Sequence, residues 1–172
     1  GTDSLVKGFA VPLTTEKFPK VLRPLLRRLH VDFRPLRSPS TLAVIGATIT
    51  ALVGSLVIDY LLVKLGTTIF PSTRGFVHFR FSDYGKLTVI GVVIACIAWP
   101  ITTRITSTPR WLFLRAAFAV TVVLLAPDAY IWLHGEPIRA VFVLVWMHLA
   151  IAIITYNALV RLAPAIRARH AR

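Results

Sequence analysis

Three ionisable side chains, Asp59, Asp128 and His148, fall inside long apolar runs of this 172-residue chain. Such a group is a functional candidate by default, because hydrocarbon offers a charge nothing to bind. His148 lies in AVFVLVWMHLAIAIITYNALV, a stretch without formal charge between Arg139 and Arg161. Nine residues past Arg139, it sits about 13 Å along a helix, close to a bilayer midplane. At that depth a ring with no acid nearby is expected to be neutral. It would donate one hydrogen bond to a threonine, tyrosine or carbonyl of a neighbouring helix, or serve as a proton relay or substrate contact. Haem or metal ligation is disfavoured: no other histidine lies within an apolar run, and Cys96 is the only cysteine. Asp59 comes six residues before Leu65, and Asp128 directly follows Pro127. Both acids are expected near the outer ends of their helices, reaching headgroups or water and pairing with Lys64, Arg139 or His134. Proton or cation coupling is the second use for them.

The elements that must position these residues are membrane spans. Hydrophobic residues make up 56% of the chain and charged ones 16%, with a mean hydropathy of +0.72. Globular chains are roughly 25% charged, so the composition points to an all-α integral membrane protein. A span needs about 20 mainly apolar residues. Four runs qualify, at about 42–65, 84–103, 111–133 and 138–160, predicting a four-transmembrane-helix bundle over 42–160. Residues 1–41 and 161–172 then form basic tails.

The net charge of +13 does not point to nucleic acid, because the basic residues flank spans rather than stud a soluble face. Eight Lys and Arg precede the first span, three lie about the turn between the second and third, and four end the chain. The opposite side has four in the first loop (Lys64, Arg74, Arg80, Lys86) and Arg139 in the last. Fifteen against five predicts both termini in the cytoplasm of a cell-membrane protein.

Residues 1–41 show neither the apolar core nor the cleavage site of a signal peptide. In EKFPKVLRPLLRRLHVDFRPLR, Phe18, Val21, Leu22, Leu25, Leu26 and Leu29 recur at helical spacing, with Lys17, Lys20, Arg27 and Arg28 between. That pattern predicts a short amphipathic helix, either lying on anionic lipid or docking on a protein partner. Pro24 is poorly tolerated inside a helix, so the helix is expected to start or bend there. In the first outer loop, FVHFRF alternates aromatic residues with His78 and Arg80. This predicts an extended segment or hairpin that anchors at the headgroups, pairs with a partner strand, or binds a ligand.

The first span carries two rows of small residues at four-residue spacing: Gly46, Thr50, Gly54, and Ala43, Ala47, Ala51, Ser55. Such rows let helix backbones approach closely. One row facing the bundle and one facing a partner is the expected arrangement. Enzyme signatures are missing: no G-x-S-x-G, no H-E-x-x-H, no phosphate loop and no paired carboxylates on one helix. No cofactor is expected.

PRWLFLRAAFAVTVVLLAPDAYIWLHGEP, MHLAIAIITYNALVRLAP and FSDYGKLTVIGVVIACIAWPI resemble a family of small four-span actinobacterial membrane proteins. The resemblance covers roughly residues 42–164, in layout rather than in any catalytic motif. It includes accessory subunits of the mycobacterial MCE (mammalian cell entry) lipid importer. The resemblance implies a permease pair, an ATPase and MCE proteins as partners, and fatty acids or related lipids as cargo. It assigns no site residue. The expected function is a non-catalytic accessory subunit that stabilises or regulates such a complex. The competing classes are a small proton-coupled transporter using Asp59, Asp128 and His148, and a membrane enzyme or redox carrier.

Overall fold

The computed structural model describes residues 18–33, 36 and 38–166. Among them the chain is helical, with four helices long and apolar enough to cross a membrane. A short helix, α1 (Arg23–Arg28), precedes α2 (Thr41–Ile69), α3 (Phe81–Ile105), α4 (Pro109–Leu133) and α5 (Ile138–Leu162). The described residues before α2 (18–33, 36 and 38–40), the α3–α4 turn and residues 163–166 gather at the tail end. The loop end holds the connection from α2 to α3 and the α4–α5 turn. Lys17 and residues 167–172 lie outside the described residues.

Local chemistry explains most helix boundaries. Ser40 caps α2 by accepting from the Ala43 N–H at 3.2 Å. Pro109 opens α4 at a position where its missing N–H costs nothing. The helix α2 runs four residues beyond the expected Leu65. Thr67 and Thr68 return their hydroxyls to the carbonyls of Val63 and Lys64, at 2.9 and 2.8 Å, leaving them no call on water. Pro71 then starts a 3-10 turn.

The predicted surface helix is shorter than its apolar pattern. α1 has a proline in its first turn, exposed Leu22 and Leu25, and Arg27 and Arg28 in its last turn. Phe18 lies outside it, stacked on Phe33 with ring centroids 5.2 Å apart.

FVHFRF is neither extended nor a hairpin. Val77–Phe79 forms a 3-10 turn that packs Phe76 against Phe79, centroids 5.1 Å apart. With Phe70, these rings cover a cluster of Tyr84, Val143, Leu144 and Met147 at the loop end. Alternation of aromatics served burial on one side of a turn, which period-2 spacing alone cannot distinguish from a strand.

The core lies between α2, α3 and α5, with α4 packed mainly on α5. α2 contributes Ala47, Ala51, Ser55 and Asp59, one residue per turn, and α3 contributes Tyr84, Thr88, Val92, Cys96 and Trp99. Trp99 is wholly buried and donates its indole N–H to the Ala163 carbonyl at 2.8 Å, tying the end of α5 to α3. Trp99→Phe keeps the ring against Phe113 but leaves a buried carbonyl unpaired. It should cost about 1 kcal/mol and speed hydrogen exchange at the last turn of α5. Unchanged exchange there would show that the bond does not hold that end.

Candidate functional site: a buried acid–histidine cluster

The three intramembrane ionisable residues come together in the loop-end half of the bundle. Asp59 lies ten residues inside the end of α2 and His148 ten residues inside the start of α5, so both are about 15 Å in from the loop end. Asp59 is fully buried and Asp128 is 6% exposed. The expectation that these acids reach headgroups or water is therefore wrong for both. Asp59 continues the inward row Ala47, Ala51, Ser55 at the same four-residue step, which turns it away from lipid whatever its depth. That spacing is the signal in the sequence that could have located it.

The expected partners are also different. Lys64 Nζ sits 5.6 Å from the centre of the Tyr60 ring, and the Arg139 guanidinium 5.4 Å from that of Phe70. His134 is at the end of α4, its Nδ1 2.8 Å from the Tyr130 carbonyl. None of the three pairs with either acid. Instead, the Thr88 hydroxyl donates to Asp59 Oδ2 at 2.6 Å. Asp128 Oδ2 lies 3.1 Å from His148 Nδ1. The same ring nitrogen is 2.9 Å from the Leu144 carbonyl, within the ring's own helix rather than on a neighbour. A carbonyl can only accept, so Nδ1 carries the proton and Nε2 is the free nitrogen of the ring when it is neutral. Asp128 approaches the ring from the neighbouring helix, but outside good hydrogen-bond alignment, and its Oδ2 has no hydrogen-bond partner.

Thr88 and Tyr84 were not singled out from sequence. Threonine and tyrosine near a span end are common, and only their four-residue spacing with Val92 and Cys96 places them on the inward stripe. Further unpaired oxygens lie inside the bundle: Asp59 Oδ1, and the hydroxyls of Ser55 and Thr155. No group of three His, Cys, Asp or Glu side chains among the described residues converges as a metal site.

The two small-residue rows of α2 face different ways. Ala47, Ala51 and Ser55 are buried against the core, with Ala43 half-buried beside them. Gly46 and Thr50 face outward, and a Cβ built on Gly46 meets nothing within 4 Å. Gly54 lies between, where a Cβ would stand 3.1 Å from Ile154 Cγ2. The chain matches no family model, no curated protein and no solved structure.

Proposed function

We propose that this protein is a non-catalytic subunit that packs against a larger complex in the cell membrane, with both termini in the cytoplasm. The observation that carries the reading is the outward notch at Gly46 and Thr50. Lipid gives helices no hydrophobic reason to associate, so close backbone approach at small residues is the main means they have. Thr50 keeps its hydroxyl on the Gly46 carbonyl at 2.9 Å, leaving a small and satisfied surface rather than a polar one. On the neighbouring face of the same helix, Ala47 and Ala51 are already used internally. At the tail end, exposed Val21, Leu22 and Leu25 beside Arg27 and Arg28 suit anionic lipid. The MCE lipid importer, with its permease, ATPase and MCE proteins, is the partner assembly that the sequence resemblance supports.

Gly46→Leu tests this directly, because it fills the notch at a position where an added Cβ meets nothing within 4 Å. Tagged wild-type chain drawn from native membranes in mild detergent should bring a permease, its ATPase and MCE proteins in fixed ratio. Gly46→Leu should lose at least tenfold of that recovery while unfolding like the parent. Recovery of the wild type alone, or only as a homo-oligomer, sinks the reading. Gly54→Leu is a poorer probe, since it would press on Ile154 within the same chain.

A further inference from the structure

One arginine stands on the outer surface of a span without an acid to meet it. Arg115 lies six residues past Pro109, about 9 Å along α4 from its start. The residues about it on that surface are apolar, with Leu114 and Phe118 both exposed. α4 packs on α5 and α3 and is the least buried of the four spans. The Arg115 guanidinium turns back toward the tail end and stacks 4.1 Å from the centre of the Trp111 ring. A cation in a span reaches headgroup depth in this way, and tryptophan is the ring that suits that level. The stack uses a face of the guanidinium and none of its five N–H donors. Among the described residues no hydrogen bond or ion pair engages the side chain of Arg115 or of Arg110.

A second element brings positive charge to the same ring. His30 meets the edge of Trp111, centroids 4.5 Å apart, and its carbonyl accepts from the Thr106 hydroxyl. Ser107 donates to the Asp32 carboxylate through its N–H and its hydroxyl. These contacts hold the segment after α1 against the start of α4. Arg27 and Arg28, the last residues of α1, are exposed and directly precede that segment. Val21, Leu22 and Leu25 add an exposed apolar edge beside them.

We infer that Arg110, Trp111 and Arg115 of α4, with Arg27 and Arg28 of α1, form a site for the headgroup of an anionic phospholipid in the tail-end leaflet. The lipid phosphate accepts two parallel N–H bonds from the Arg115 fork, and the acyl chains run along Leu114 and Phe118. Four arginines with no acid paired to them among the described residues favour a lipid of net negative charge over a zwitterionic one. Apolar residues flanking the cation on its own helix favour lipid over an acidic protein patch. The site is separate from the notch at Gly46 on α2, so either can fail without the other.

The test is native mass spectrometry of the full chain in mild detergent, titrated with phosphatidylglycerol or with phosphatidylcholine. The first phosphatidylglycerol should bind at least tenfold more tightly than phosphatidylcholine. Arg115→Gln should remove most of that preference. Arg139→Gln, which loses a loop-end cation from over Phe70, should leave it unchanged. Equal affinities for the two lipids, or a preference that Arg115→Gln does not reduce, overturns the inference. Displacement of the lipid by inorganic phosphate does so too, since a free anion would then be the ligand. A second measurement leaves every arginine in place: benzoylphenylalanine at position 118 is photolysed in native membranes. Its adducts should be anionic phospholipids, enriched over their share of the membrane. Adducts with a protein, or with lipids in proportion to their abundance, overturn the inference.

Discussion

His148→Ala should destabilise the bundle by about 3 kcal/mol. Removing one partner of a buried pair leaves the other charge uncompensated, and typical losses are about 3–5 kcal/mol. The lower end applies because the imidazole side chain is 27% exposed, whereas that of Asp128 is 9%. The loss comes mainly from Asp128, which has no lysine or arginine to fall back on. A chain carrying Asp128→Asn together with His148→Ala should therefore be more stable than His148→Ala alone, with a coupling of about 1–3 kcal/mol. Equilibrium unfolding in lipid bicelles measures both. Strict additivity of the two substitutions would mean that the 3.1 Å approach carries no energy.

The second large effect is expected where α5 packs tightly on α2 at Gly66. A Cβ at Gly66 would stand 2.7 Å from Val143 Cγ2, nearer than real side chains tolerate. Val143 is buried and β-branched, so it has little rotamer freedom with which to yield. Gly66→Leu must separate the two helices or force Val143 off its rotamer, at a cost of about 2–3 kcal/mol. Adding Val143→Ala should return a good part of it. Gly46→Leu is the matched control, because the same leucine placed in open space should leave unfolding unchanged. If all three unfold alike, the approach at Gly66 is not a constraint of the fold.

These sites differ in how far the sequence announced them. Long apolar runs declared four helices because span length is set by the bilayer, and no tertiary detail enters. Boundaries were less visible. Gly66, Thr67 and Thr68 look like loop residues, yet the glycine is required by Val143 and the threonines satisfy themselves within the helix. Asp59, Asp128 and His148 were legible as candidates but not as a group. Depth along a helix can be counted, whereas convergence depends on the rotation of three helices about their axes. For Asp59 the inward row of alanines did specify that rotation; for Asp128, on the sparsely buried α4, no comparable stripe exists. The fate of Lys64 and Arg139 was not legible either, since aromatic rings compete with carboxylates for cations at short range.

His30, Asp32, Phe33 and Leu36, which lie between α1 and α2, are tied to the end of α3 and the turn that follows it. The Phe33 N–H donates to the Ile105 carbonyl at 2.9 Å and the Leu36 N–H to that of Thr103 at 3.1 Å. The Thr106 hydroxyl donates to the His30 carbonyl, and Ser107 donates through both its N–H and its hydroxyl to the Asp32 carboxylate. His30 also meets the edge of Trp111 on α4, with centroids 4.5 Å apart. A pull on α1 therefore also loads the turn between α3 and α4, and not only α2, its neighbour in sequence. Whatever grips that short helix would be turning a lever whose working end is the helix that carries Asp128.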